Sequence, residues 1–361
     1  MPPGLFDEFR LKGVTLRNRI AVSPMCQYSA TDGMPSDWHL VHLGARAVGG
    51  AGLVCVEATA VTPAGRISPG CTGLWSDAHG RAFARIAQFV KGQGAVPGIQ
   101  LSHAGRKASA QRPWDGDAHL PVGRGGWEIL GPSAAAFGGN LPTVPKAMTQ
   151  ADIDATSVAF ADAAGRALEA GFEWLELHFA HGYLAHSFFS PLSNFRTDEY
   201  GGSLVNRARF LTETLAAVRK VWPDHLPLTA RLSVEDYAPG GLTLDDSIAL
   251  AKLLKAGGLD MIDVSMGFNA PDVSGIPWAP GFLAPASERL RREVGLPTSV
   301  GWLILEPQQA DDIVSRGQAD VVMLAREMLR DPNWPYHAAV KLGRDKPHGV
   351  LPVQYARVAR R

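Results

Sequence analysis

Eight short runs of the chain are apolar at nearly every position, and between them apolar residues recur at helical spacing. The runs are RIAVSPM (19–25), GLVCVEAT (52–59), VPGIQLSH (96–103), EWLELHF (173–179), PLTARLS (227–233), DMIDVSM (260–266), PTSVGW (297–302) and DVVMLA (320–325). Continuous apolarity, as opposed to alternation, marks strands covered on both faces, the signature of a parallel sheet. Helical stretches are predicted at 37–49, 77–92, 149–170, 203–221, 243–256, 285–294, 306–316 and 332–342. Thr149 and Thr243 each precede acidic first turns, which predicts N-caps there.

Eight strands alternating with eight helices predict a single α/β domain over 1–361, a (β/α)₈ TIM barrel. A doubly wound sheet is the rival, but the chain has neither GxGxxG after its first strand nor GxxxxGK[ST]. The extra length is localised. LFDEFRLKGVTLRNR predicts a hairpin plugging the bottom of the barrel. Gly- and Pro-rich residues 104–148 form a long excursion after strand three, and GFNAPDVSGIPWAPGF (267–282) forms another after strand six. Long loops at that face of a barrel are usually functional.

Composition narrows the partners. Lysine plus arginine equals aspartate plus glutamate at 35 each, so no bulk charge favours nucleic acid or a membrane surface. Only the tail YARVARR is locally basic. No apolar run reaches the roughly 18 residues of a spanning helix, and MPPGLFDEFRLKG has no apolar segment of signal-peptide length. The three cysteines, Cys26, Cys55 and Cys71, show no CxxC spacing, which argues against a disulfide framework or a cysteine-built metal site. The expectation is a soluble, reduced, cytoplasmic protein.

Residues at the C-terminal ends of barrel strands face the active site. Here they are Pro24, Met25, Cys26 and Tyr28 after strand one; Glu57, Ala58 and Thr59 at two; Gln100, Ser102 and His103 at three. His178, His181 and Tyr183 follow at four, then Arg231, Ser265, Trp302 and Arg326. The set is polar but poor in acids. A metal-dependent hydrolase built on His178 and His181 has only Glu57 and Glu176 as nearby carboxylates. Packing alone is the bland account of the histidines, and a buried hydrophobe is that of Cys26. Arg231, inside LTARLS, demands either a buried ion pair or an anionic ligand. A barrel kept only for binding or structure is the third reading.

At this point NRIAVSPMCQYSATDG, IQLSHAGRKAS, WLELHFAHGYLAHSFFSPLSNFRTDEYGGSLVNRARF and VQYAR resemble the Old Yellow Enzymes, nearest to their xenobiotic-reductase or thermophilic-like subgroup. The resemblance runs from Leu5 to Arg357. It implies an FMN-containing barrel that reduces activated C=C bonds of enones, enals, maleimides and nitro compounds with NADPH or NADH, by ping-pong turnover. By resemblance, His178 and His181 hold the substrate oxygen and Tyr183 delivers a proton. Cys26 tunes the flavin and touches substrate, and Tyr28 is a second oxygen donor. FMN would be held by Ser23, Pro24, Met25, Cys26, Ala58, Gln100, His178, Arg231, Trp302, Ala325 and Arg326. Trp302 walls the pocket, and Arg357, within a tail at 350–361, reaches a neighbouring subunit of a homodimer or homotetramer. The phosphate neighbourhood departs from the family pattern: Leu303, Leu305 and Ala325 stand near positions where relatives carry glycine-containing patterns. Alanine at 325 predicts a backbone penalty and weaker FMN retention wherever φ must be positive.

Overall fold

The computed structural model describes residues 2–359; of the expected interface tail, 360 and 361 lie outside the described residues. An antiparallel hairpin, β1 (Phe9–Leu11) and β2 (Val14–Leu16), comes first. Gly13 N–H donates to His225 O at 2.8 Å, in the loop that enters a barrel strand, so the hairpin caps the bottom as expected.

The eight apolar runs are all strands of one closed parallel barrel. They are β3 (Ile20–Val22), β4 (Leu53–Ala60), β5 (Val96–Ser102), β8 (Trp174–Phe179), β9 (Leu228–Ser233), β10 (Met261–Ser265), β11 (Thr298–Val300) and β12 (Val321–Leu324). A two-stranded pair inside the first long excursion, β6 (Leu130–Gly131) with β7 (Lys146–Ala147), was not legible in the sequence. Every residue of the eight barrel strands is buried, as both-face coverage requires.

Helices α1 (Asp37–Val48), α2 (Asp77–Gly92), α3 (Gln150–Glu169), α5 (Leu204–Arg219), α6 (Leu244–Ala256), α7 (Ala284–Val294) and α8 (Pro307–Ser315) match the expected stretches. Thr149 and Thr243 cap α3 and α6, each in a reciprocal box with an aspartate three residues on. The last expected stretch, 332–342, is α10 (Trp334–Lys341), with Pro335 in its first turn. Three short helices were not foreseen: α4 (Leu184–Phe189), directly after the histidine turn, α9 (Arg326–Arg330), directly after β12, and α11 (Val353–Ala356) in the tail.

Register decides which side chains meet. Ala58 pairs with Gln100 and Gln100 with Glu176 across β4, β5 and β8. His178 pairs with Arg231 and Arg231 with Asp263 across β8, β9 and β10. A register shift between Val56 and Ala58 leaves Glu57 unpaired on its strand. Its carboxylate accepts from Gln27 N–H at 3.1 Å and lies 3.3 Å from His39 Nε2, tying the loop after β3 to α1.

Candidate active site at the barrel mouth

Strand β8 ends in a tight turn that carries His181 and Tyr183. After His178 and Phe179 the backbone enters the left-handed region at His181 (φ 60°) and Gly182 (φ 71°). At Gly182 a Cβ would come within 2.3 Å of the Phe268 carbonyl oxygen, so only glycine passes under the loop after β10. The turn is pinned at several points. Ser233 Oγ accepts the His181 amide at 2.9 Å, and His186 Nδ1 accepts the Gly182 amide at 2.8 Å. His186 Nε2 in turn faces buried Asp236 at 3.1 Å.

This places His178 Nε2 and His181 Nδ1 3.3 Å apart, with the rings nearly perpendicular. The Tyr183 ring stands edge-on to His178, with centroids 4.9 Å apart. Burial, followed by the charges of Arg231 and Lys107, holds His178 well below the usual imidazole range. His181 is depressed in the same direction, by burial and then by His178. Both rings are therefore neutral at physiological pH. Burial pushes the Tyr183 and Tyr28 phenols up, so both keep their protons. Cys26 is half-buried, and burial with Cys71 and Glu57 nearby pushes its thiol up as well. It is therefore a protonated thiol and not a standing nucleophile.

Two adjoining cavities open over these groups. One, of about 410 Å³, is lined by Ser23, Pro24, His181, Tyr183, Arg231 and Trp302, and beyond them by Leu303, Ile304, Ala325 and Arg326. The second, of about 550 Å³, is lined by Tyr28, Lys107, Phe137, Tyr183 and Phe268 among others. Tyr183, Lys107 and Phe268 belong to both. Positive φ values gather here too: Tyr28, His181, Phe268, Trp302 and Leu303 all border one cavity or the other.

The remaining expected residues lie just behind the linings or away from them. Met25 and Cys26 follow Ser23 and Pro24, and Ala58 is buried beside Gln100. Gln100 Nε2 donates to Glu176 Oε1 at 2.7 Å. Arg231 has the buried ion pair that was one account of it. Its Nε lies 3.0 Å from Asp263 and its Nη1 donates to Ser23 Oγ at 3.2 Å, yet the side chain still lines the first cavity. Glu176 faces inward to Gln100, and burial with Asp263 nearby raises its pKa. Trp302 stands two residues past the end of β11, in a left-handed turn, and packs on Phe268 with centroids 5.4 Å apart. Arg357 is exposed beyond α11 and borders neither cavity of its own chain.

Two outcomes modify the sequence reading. Ala325 has φ −108°, so alanine bears no left-handed penalty there; the positive φ falls instead on Trp302 and Leu303. Lys107, within IQLSHAGRKAS, is a site residue with no expected role. Its Nζ donates to His181 O at 2.9 Å and Phe268 O at 3.2 Å, and it sits over the Tyr183 ring at 5.2 Å. A lone lysine in a Gly/Pro-rich excursion reads as solvated surface, so only its place beside Arg106 in GRK hinted otherwise. The aromatic wall that Phe268 and Trp278 of the second excursion build against Trp302 was equally hidden.

The donor set suits a flat, electron-poor ring with an anionic tail. Apolar Met323 and Ile304 line the cavity together with two guanidinium groups, Arg231 and Arg326. Among the described residues, no acceptor takes up the Leu303 or Ile304 N–H, whereas the Leu305 N–H is engaged by Gln309 Oε1 at 2.9 Å. By contrast, the described residues hold no cluster of three or more His, Cys, Asp or Glu arranged for a metal, which leaves the hydrolase reading unsupported.

Fold and site together define a flavin-binding barrel oxidoreductase. The chain matches the NADH:flavin oxidoreductase / NADH oxidase family over residues 4–345. It is 46% identical over 355 residues to the NADPH dehydrogenase of Geobacillus thermodenitrificans, covering 98% of each chain. Among solved structures it is similar to an old yellow enzyme homologue from Zymomonas mobilis (26% identity, 94% and 93% coverage, TM-score 0.78). It is also similar to morphinone reductase in complex with tetrahydroNAD (25%, 94% and 91%, TM-score 0.79). The chain belongs to the Old Yellow Enzyme family, and is an FMN-dependent oxidoreductase that draws on NAD(P)H. No helix among the described residues is long and apolar enough to cross a membrane.

Proposed function

We propose that this enzyme reduces the C=C bond of small electrophilic alkenes (enones, enals, maleimides and nitroalkenes), with His178 and His181 gripping the activating oxygen. The observation that carries the reading is the pair of neutral imidazole nitrogens 3.3 Å apart beside the Tyr183 ring, over a cavity that Arg231 also lines. When bound, FMN would supply the hydride chemistry, with NAD(P)H as the source of the electrons. Everything else falls to the protein.

As the β carbon gains a hydride, negative charge develops on the carbonyl or nitro oxygen. Two fixed N–H donors hold that charge better than they hold the neutral ground state, which lowers the barrier. Neutral imidazoles suit this role because they need no proton transfer to act. Tyr183, kept protonated by burial, is placed to give its phenolic proton to the α carbon. Tyr28 offers a second hydroxyl from across the second cavity. Cys26 gives a polarisable thiol contact beside the residues expected to hold the ring. Arg231, fixed by Asp263 and Ser23, brings the positive charge suited to a reduced ring's polar edge, with Gln100 held beside it by Glu176. Arg326 and the Leu303 and Ile304 amides suit the phosphate.

With no separate nucleotide fingerprint in the chain, reductant and alkene are read as sharing one face in turn, which gives ping-pong kinetics. Initial rates at varied NADPH and cyclohexenone test this. Parallel reciprocal plots and stoichiometric cyclohexanone support the reading. Intersecting plots would sink the shared site, and NADPH oxidation with no saturated product would sink the alkene reaction.

A further inference from the structure

Behind His181 runs a hydrogen-bond chain whose members differ in what they can donate. An indole N–H only donates, so the 2.8 Å contact from Trp302 Nε1 makes Ser265 Oγ an acceptor. Ser265 is fully buried. Among the described residues its hydroxyl reaches one other polar group, His181 Nε2 at 2.5 Å. Were the imidazole to donate there, the serine proton would be left aimed at no acceptor, and buried polar hydrogens without partners are rare. The arrangement that satisfies every group has Trp302 donating to Ser265, and Ser265 donating to His181 Nε2.

A neutral imidazole carries one ring proton, and burial beside His178 and Arg231 keeps His181 neutral. With Nε2 accepting, that proton sits on Nδ1. His178 is fixed from its other side: the Ala180 amide donates to its Nδ1 at 3.3 Å, which leaves its proton on Nε2. We infer that Ser265 is a positioning residue that holds His181 as the Nδ1–H tautomer, with Trp302 committing Ser265 to that role.

The consequence lies in the 3.3 Å contact between His178 Nε2 and His181 Nδ1. In the opposite tautomer His178 would donate to His181, the pair would satisfy itself, and one donor would be lost to ligands. In the tautomer set by Ser265 both nitrogens donate and neither satisfies the other. What they lack is a shared acceptor, such as a carbonyl, nitro or phenolate oxygen. Ligands that present a donor, such as an ammonium group, are excluded by the same two protons. This deepens the reading of His178 and His181 as the oxygen grip, and rests on it.

The test uses FMN holoenzyme labelled with ¹⁵N-histidine, read by long-range ¹H–¹⁵N correlation, with p-hydroxybenzaldehyde as the binding probe. Wild type is expected to show His181 in the Nδ1–H pattern. Ser265→Ala should move it to the Nε2–H pattern or to an average, and weaken probe binding about tenfold or more. Ser265→Thr, which keeps the hydroxyl, should restore both. If Ser265→Ala does not fold, Trp302→Phe frees the serine and should itself mix the tautomers. An Nε2–H pattern in wild type, or an unmoved pattern in Ser265→Ala and Trp302→Phe, overturns the inference. Failure of the parent reading shows separately, as unweakened probe binding in His178→Ala. That result overturns the grip assigned to the tautomer, whereas the NMR pattern decides the tautomer itself.

Discussion

Lys107 shows how much a single side chain can hold in place. Its ammonium ties the carbonyls of His181 and Phe268, two residues in left-handed conformations, and so braces both sides of the mouth. Burial, then the charge of Arg106, brings its pKa down to about 7. Lys107 is charged below that pH and neutral above it, so its hold on these two carbonyls, and with it the placement of His181, should weaken as pH rises. Alkene reduction by pre-reduced enzyme is expected to slow as pH climbs through about 7. Lys107→Met should be slower throughout and lack that transition. A transition that survives in the variant would assign it to another group. The contrast with His178 and His181 is instructive. Two histidines and a tyrosine at a strand end are legible because polar residues there have few bland explanations. Lys107 was not, because exposure is a lysine's default and its burial depends on loops far apart in sequence.

At the scale of elements, the strands were readable because continuous apolar runs leave little choice of fold, and the caps because their spacing is local. Thr243 shows the latter: Asp246 Oδ2 accepts the Thr243 amide at 2.9 Å while Thr243 Oγ1 accepts from Asp246. Thr243→Ala is expected to lower stability by about 1 kcal/mol, seen as a lower denaturant midpoint with FMN binding intact. No change in midpoint would mean that the first turn of α6 holds without its cap. What the pattern could not show was irregular backbone. The turn at 180–183 depends on Gly182 passing beneath Phe268, the left-handed pair Trp302–Leu303 follows β11, and α4 begins where a loop was expected. Each is fixed by contacts between separate segments. The strain that was looked for at Ala325 lies instead at Leu303 for that reason.

For the whole molecule, several histidines are buried in neutral form. His42 is brought down to about 3 and His103 to about 4, chiefly by burial, and His178 and His181 are likewise held well below the usual range. In the unfolded chain each takes a proton near pH 6.5, which the folded state refuses. Their contribution to stability is present above about 6.5 and lost as pH falls toward 4. Thermal melts should therefore show a midpoint that drops steeply across that window; a flat midpoint would mean that these sites hydrate and protonate in place. Arg357 makes a different prediction, because it is exposed and lines neither of these cavities of its own chain. If it completes a neighbour's pocket, Arg357→Ala should raise the KM for cyclohexenone with the assembly intact by sedimentation. An unchanged KM would leave it a solvated tail residue.

The central claim is that His178 and His181 grip a substrate oxygen beside bound FMN. Its most direct test is the absorption spectrum of the FMN-loaded protein titrated with p-hydroxybenzaldehyde, in wild type and in His178→Ala. The expected result is a long-wavelength charge-transfer band in wild type, with binding weaker by about 3 kcal/mol, or about a hundredfold, in the variant. Flavin bands with no new absorption in wild type, or equal affinity in both proteins, would contradict it.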